Sequence, residues 1–355
     1  IYMYDNAMFS VGIIGASGYT GSELLRICAN HPNFDVKTAV ASTYADTAVS
    51  DLHTHLSAQY PEMLFEDKDL APLDKCDVIF TGLPHGASQL VIPELLDNAK
   101  VIVDLGADFR LKDPDIYNQW YEQEHVAPQL LNTAAYGLPE LFTDGLEDCQ
   151  LDAAPGCYPT AASLALAPFL RAGVIEPNGI IVDAASGVSG AGKTPQPNSM
   201  FCTVDENFSA YGLLSHRHTP EIEQALATEG NGNKREDISV LFTPHLAPMN
   251  RGILATCYAK VKAELDTDTA IQVLAETYSG MPFIVVDEKS PSTKSTFGSN
   301  AAHITARVDP RTGWLISLCA IDNLGKGASG QAVQCANIVL GLDETEGLSA
   351  VGINP

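Results

Sequence analysis

Phe9-Ser10-Val11-Gly12-Ile13-Ile14-Gly15-Ala16-Ser17-Gly18-Tyr19-Thr20-Gly21 is the stretch that decides the fold. Phe9 to Ile14 is an apolar run of strand length, and Gly-x-x-Gly-x-x-Gly follows it directly. Ser22 to Ala29 then reads as helix, with Leu24, Leu25 and Cys28 on one side. Strand, glycine turn, helix is a layout that binds dinucleotides. The glycines let the chain turn tightly, and a pyrophosphate can approach the helix N-terminus closely. A lone glycine pattern is weak evidence, but this one has its strand before it and its helix after it. Gly15, Ala16, Ser17, Gly18, Tyr19, Thr20 and Gly21 are therefore candidate cofactor contacts.

Moving outward, Asp35 to Ala41 reads as the second strand. An NAD site places Asp or Glu about 20 residues after the glycines, for the ribose 2′-OH. Here the strand ends Ala41-Ser42-Thr43. With no carboxylate to repel it, a 2′-phosphate is tolerated and Ser42 or Thr43 can donate to it, so NADP is the expected cofactor, although no arginine stands there. Further strands are read at Cys76 to Thr81 and Lys100 to Asp104, with a helix reaching about Leu96 between them. Repeated strand–loop–helix units predict an α/β fold, a doubly wound parallel sheet of Rossmann type. Arg110 leaves the end of one such strand, where an anion clamp and a surface salt bridge are both reasonable readings. His53 and His55 fall in a polar connecting stretch and are expected at the surface rather than on a metal.

A second landmark lies at Ala153-Ala154-Pro155-Gly156-Cys157-Tyr158-Pro159-Thr160. Pro159 suits a first helical turn, and Thr160 to Leu170 is rich in Ala and Leu, with Pro168 expected to kink or end the helix. Cys157 thus stands at a helix N-terminus, where unpaired N–H groups and the macrodipole favour thiolate. That makes it a candidate nucleophile, against the alternative of a buried structural cysteine. Strands then follow at Gly179 to Ser186, Ser239 to Phe242, Ile253 to Lys262, Phe283 to Val286 and Trp314 to Ile321. Helices are read at Pro220 to Thr228 and Asp268 to Tyr278, so a second, α+β domain of antiparallel-looking strands is expected. A long helix over Gly327 to Leu340 is expected to return to the first domain.

Gly187-Val188-Ser189-Gly190-Ala191-Gly192-Lys193-Thr194 matches the P-loop pattern letter for letter. A P-loop must run into a helix, and here Pro195 and Pro197 follow at once. Nucleotide hydrolysis is the remote alternative. A glycine-rich loop with free N–H groups, with Ser189 and Lys193, can instead serve a substrate phosphate, and Ser186, Gly187 and Gly190 the nicotinamide face.

Composition sets the bounds. The chain has 355 residues, enough for two domains, and a formal net charge of −24, which repels nucleic acid and anionic lipid. Eight dispersed cysteines without a C-x-x-C pair predict reduced thiols, a cytoplasmic location and no metal site. No apolar run reaches membrane-spanning length and no leader is read at the start; residues 1–7 are taken as a cloning remnant ahead of Met8.

His216 and His218 stand two apart just before a helix whose expected N-cap is Thr219, with Pro220 in its first turn. Either can reach a bound substrate. A metal reading would need a third ligand such as His245. Here the motifs converge. Gly15 to Gly21, Pro155 to Thr160, Ser186 to Gly192, His216 to Ile222, Phe242-Thr243-Pro244-His245-Leu246 and Asp322-Asn323-Leu324-Gly325-Lys326-Gly327 occur in that order. From Met8 on, the chain resembles the N-acetyl-gamma-glutamyl-phosphate reductases of arginine biosynthesis, in the aspartate-semialdehyde dehydrogenase-like superfamily. The resemblance implies an NADP-binding Rossmann domain (8–156 and 323–355) and a catalytic and oligomerisation domain (157–322). It implies Cys157 as nucleophile, His218 as acid/base, Arg110 and His216 in substrate binding, and Asn323 near the cofactor. It also implies a homodimer or homotetramer that reduces a small acyl phosphate and releases inorganic phosphate, without nucleic acid or membrane partners. The sister enzyme acting on aspartyl phosphate is the nearest alternative, and a cofactor-binding regulator without chemistry is another.

Overall fold

A computed structural model describes residues 8–229 and 237–354; the segment 1–7 set aside above lies outside the described residues. Packing divides the chain into two units, one of residues 8–118, 123–154 and 329–348, the other of 119–122, 155–328 and 349–354. The expected joins were at 156/157 and 322/323. Residues 323–328 group with the second unit because the Asp322 carboxylate accepts from Leu324 N and Gly325 N. The tail groups there because Asn300 N donates to Ser349 O and Ile353 N to Phe297 O.

The first unit is built on strands β1 (Phe9–Ile14), β2 (Phe34–Val40), β3 (Phe65–Glu66), β4 (Val78–Thr81), β5 (Val101–Asp104), β6 (Ala135–Tyr136) and β7 (Leu151–Ala153). Their order is β3-β2-β1-β4-β5-β7-β6 and every pairing is parallel. Successive residues feed opposite faces. Val11, Ile13, Val78, Phe80, Val101 and Val103 join one core, and Ile14, Ile79 and Ile102 the other. Burial on both faces is why β4 and β5 read as nearly continuous apolar runs, Val78–Thr81 and Val101–Asp104. The Gly330–Val339 helix brings Ala332, Val333 and Ala336 onto the first of these cores, so the chain does return to this unit. That helix is shorter than expected, because a π-type turn occupies Gly325–Ser329 before it. The strand order reverses at β1, and Gly82 N at the end of β4 donates to Ile14 O at the end of β1. The glycine loop leaves the sheet at this reversal, where open α/β sheets bind their ligands.

In the second unit lie β8 (Ile180–Ser186), β9 (Ser209–Ala210), β10 (Val240–Leu246), β11 (Ile253–Lys260), β12 (Ile284–Val286), β13 (Ala302–Asp309) and β14 (Trp314–Ile321). The order is β12-β13-β14-β11-β8-β10-β9. This sheet is mixed rather than antiparallel: β8 pairs β10, and β12 pairs β13, in parallel. The Thr219–Glu229 helix lies between β8 and β10 in the chain, as a parallel crossover requires. β13 escaped the sequence reading, although Ala302, Ile304 and Ala306 alternate inward. The Cys157–Arg171 helix packs on β11 and β14 and runs through Pro168 to Arg171 without ending.

Candidate active site

Cys157 is the first residue of its helix, and extended Gly156 caps it without a side-chain bond. The cap is held from elsewhere: Gly156 N donates to Glu221 Oε1 at 2.8 Å, and Glu221 is fully buried in the Thr219–Glu229 helix. Sequence reasoning missed Glu221, because nothing local links it to residue 156. Burial sorts the eight thiols. It pushes Cys28 and Cys149 up to about 12 and Cys76 up to about 11, and it raises Cys257 and Cys319 well above the ordinary thiol value. Cys335 is buried as well, which leaves half-buried Cys157 and exposed Cys202 accessible. Of the two, Cys157 opens a 15-residue helix and Cys202 lies in a single turn, Phe201–Val204.

Tyr158, next in the chain, collects the histidines. Its ring stands edge-on to His216, His218 and Phe242 at centroid distances of 5.7, 5.9 and 5.2 Å, and the two histidines are 4.8 Å apart. The Tyr158 hydroxyl lies 3.0 Å from that of Tyr211, whose ring also faces His216. Burial raises both phenols, Tyr211 to about 12, so both are neutral. His216 Nδ1 accepts from His218 N at 3.2 Å, which leaves the ring proton of neutral His216 on Nε2 as a donor. Burial, with the charge of Arg217, pushes His216 down to about 4. The cap of the following helix falls on His218 rather than on Thr219: Ile222 N donates to His218 O at 2.9 Å, closing the first turn one residue earlier than expected.

The 186–194 loop differs from its expectation. Gly187 N, Val188 N and Ser189 N donate to Gly252 O, Met249 O and Asn250 O, and Gly190 N turns back to Gly187 O. These N–H groups already have acceptors, so they are not free for a phosphate. No helix starts at Lys193-Thr194; a 3₁₀ turn covers Val188–Ala191 and another Pro197–Ser199, so the P-loop geometry is missing here. Lys193 is exposed. Ser186 Oγ donates to Gly187 O at 3.0 Å. Asn323 braces the loop, with Nδ2 donating to Ser189 Oγ at 2.9 Å and Oδ1 accepting from Gly252 N at 2.7 Å.

In the first unit, Gly18 caps the Tyr19–Cys28 helix, which begins three residues earlier than expected. The first-turn N–H groups of Tyr19, Thr20 and Gly21 have no intrahelical acceptor and are available to a pyrophosphate. A Cβ on Gly21 would stand 2.5 Å from Ala16 Cα, so only glycine fits. His53 is buried, not at the surface, and its Nε2 lies 3.0 Å from Ala16 O, while His55 Nε2 lies 3.3 Å from Ser22 Oγ. The pair braces the glycine loop. Ser42 is exposed and its Oγ accepts from Lys68 N at 3.2 Å, so pairing of β3 with β2 brings a lysine beside the position where the sequence offered no arginine. Arg110 is buried and donates to Ala154 O and Leu105 O, both at 2.8 Å. Among the described residues no cluster of His, Cys, Asp and Glu could hold a metal ion, and no helix is long and apolar enough to cross a membrane.

Residues 10–149 match the model of the semialdehyde dehydrogenase NAD-binding domain, and 157–323 that of the semialdehyde dehydrogenase dimerisation domain. The N-acetyl-gamma-glutamyl-phosphate reductase of Acetivibrio thermocellus is 46% identical over 348 residues, 97% of this chain and 99% of that protein. That of Symbiobacterium thermophilum is 46% identical over 345 residues, 96% and 98% of the two chains. The chain belongs to the N-acetyl-gamma-glutamyl-phosphate reductase family. Among solved structures, aspartate semialdehyde dehydrogenase II of Vibrio cholerae superposes with a TM-score of 0.71 at 16% identity, over 94% of this chain and 98% of that one. The Candida albicans aspartate semialdehyde dehydrogenase gives 0.65 at 14% identity, over 94% and 99%. Within the reductase family, then, the fold is that of the semialdehyde dehydrogenases.

Proposed function

We propose that this protein reduces N-acetyl-gamma-glutamyl phosphate to N-acetylglutamate 5-semialdehyde and phosphate, through a thioester on Cys157. The observation that carries the reading is Cys157 at the N-terminus of its helix, with the ring of Tyr158, the next residue, edge-on to both His216 and His218. The Cys157 thiolate attacks the acyl carbon, the C–O bond to phosphate breaks, and phosphate leaves with the bonding pair. NADPH, when bound, supplies a hydride to the thioester carbonyl. His218 is the acid/base, giving a proton to the developing alkoxide and taking one back as the thiolate is expelled. His216, with its proton on Nε2, is a neutral donor to substrate, and Ser189, Lys193 and the positive charge of Arg110 complete the substrate contacts.

The cofactor fits the first unit. Gly15, Ala16, Ser17, Gly18, Tyr19, Thr20 and Gly21 would cradle its pyrophosphate, and Ser42 with Lys68 would take the 2′-phosphate, so NADP is preferred to NAD. Ser186, Gly187, Gly190 and Asn323 would border the nicotinamide. The enzyme acts in the cytoplasm as a homodimer or a homotetramer built from such dimers. The second sheet supports an oligomer: Leu254, Tyr258, Ile316 and Leu318 line a half-exposed face, while their neighbours Ala255, Cys257, Leu315 and Ser317 are buried. NADP-dependent oxidation of N-acetylglutamate semialdehyde, with and without inorganic phosphate, tests the reading. Turnover that requires phosphate is expected. Preference for aspartate semialdehyde would move the chain to the sister activity.

A further inference from the structure

Asp322, at the end of β14, is fully buried. Its Oδ1 accepts from Leu324 N at 2.8 Å and Gly325 N at 3.0 Å, and from Arg251 Nε at 3.1 Å and Nη2 at 2.9 Å. Its Oδ2 accepts from Gly298 N at 2.6 Å, and its backbone carbonyl from Gly327 N at 2.9 Å. A buried carboxylate is tolerated only with such a set of donors, and loss of any one of them is felt by the rest.

The bonds run in two directions. In one, they wind the 322–327 turn so tightly that Gly327 lies against the Cys157 side chain; a Cβ there would stand 2.9 Å from Cys157 Cβ. In the other, they draw Arg251 inward, with its guanidinium over the Phe297 ring at 5.7 Å. Arg251 belongs to the 249–252 segment, whose carbonyls accept the N–H groups of Gly187, Val188 and Ser189. Asn323, the next residue, closes the same loop through Gly252 N and Ser189 Oγ. One carboxylate therefore holds both the turn that abuts the thiol and the strap behind the 187–189 loop.

We propose that Asp322 is a positioning residue of the reaction, setting through Gly327 where the Cys157 thiol stands and through Arg251 where the 187–189 loop stands. The inference rests on Cys157 being the nucleophile. Nothing in the sequence near Cys157 points to it, since 165 positions separate the two residues.

The test uses the full-length protein with Arg251→Gln, Arg251→Lys and Asp322→Asn. Five quantities are read: kcat, KM for the semialdehyde, NADP binding by fluorescence, the thermal midpoint, and the pH profile of Cys157 alkylation by iodoacetamide. Arg251→Gln should lose about 10- to 100-fold in kcat, because small misplacements of a reacting group cost that much. NADP affinity should stay within about twofold, KM should change less than kcat, and the alkylation midpoint should move. Arg251→Lys should recover part of the loss. Asp322→Asn should show the same pattern more strongly; should it not fold, Arg251→Gln carries the test, its side chain being at the margin of the core with 17% exposure. Wild-type kcat and alkylation in Arg251→Gln would overturn the proposal, as would a loss shared equally by NADP binding and thermal stability. Cys157→Ser separates the two readings. If that variant still turns over, the nucleophile assignment itself is wrong; if it is dead while Arg251→Gln is normal, only the positioning role is lost.

Discussion

Two glycine-rich loops follow strands in this molecule, and they end up as different objects. Gly15 to Gly21 leaves β1 and runs into the Tyr19–Cys28 helix, whose first-turn N–H groups have no intrahelical acceptor. Gly187 to Thr194 leaves β8, matches a nucleotide-binding pattern more fully, and forms no such site. Its N–H groups pair with the 249–252 backbone, and Pro195 and Pro197 follow where a helix would have to begin. The letters of a glycine motif say only that the chain can turn and approach another backbone closely. What the loop then does depends on the element after it and on whether other backbone has already taken its donors.

Cys157→Ser should break the molecule's activity most completely, lowering turnover by about 10³-fold or more, because a hydroxyl is a far weaker nucleophile. NADPH binding, which belongs to the first loop, should be unchanged by fluorescence titration. Ordinary turnover by this variant would remove the chemistry from the second unit. Gly21→Ala should do the reverse. A methyl group driven against Ala16 should weaken NADPH by about 100-fold, leaving Cys157 as reactive toward iodoacetamide as before; unaltered NADPH affinity would mean the first loop is only a turn.

The two histidines divide the second unit more finely. His218→Asn should cost kcat about 10²-fold or more with a modest change in KM, as loss of a proton-transfer group does. His216→Asn should raise KM more than it lowers kcat, and the opposite pattern would exchange their roles. His216 also has a pH signature. Its folded value near 4 lies below the ordinary value of 6.5, so the unfolded chain binds the proton more readily. The stability it contributes is present above pH 6.5 and is lost as pH falls from there toward 4, by roughly 1–2 kcal/mol after allowance for its partial exposure. Urea unfolding at pH 7 and pH 4.5 should show a smaller difference in His216→Asn than in the parent.

Lys193→Ala is expected to have the smallest effect, a rise of a few-fold in substrate KM from loss of one exposed charge. No ATP hydrolysis should exist for it to lose. Robust ATPase activity in the parent, absent from this variant, would restore the P-loop reading and erase the contrast between the loops.

Some of this was written along the chain. The first unit's sheet was legible because parallel strands buried on both faces, such as Val78–Thr81 and Val101–Asp104, are mostly apolar, and its glycine loop carries its strand and helix with it. Cys157 was legible for a similar reason, since Pro-Gly before it and an Ala-Leu run after it define a helix start locally. The strands of β3, β6, β7 and β9 were not legible, being two or three residues long with no period to detect.

By itself, then, the sequence determined what neighbours in the chain can impose: the apolar runs of the first sheet, the helix that presents Cys157, and the prolines that deny Lys193 a helix. Tertiary structure decided what depends on partners far away in sequence. It turned His53 from an expected surface residue into a buried brace on Ala16 and set Glu221 under Gly156. It filled the donors of the 187–190 loop and brought Lys68 to Ser42. The physical reason is that backbone conformation follows local propensity, whereas a buried polar group must find its partner wherever the fold delivers one.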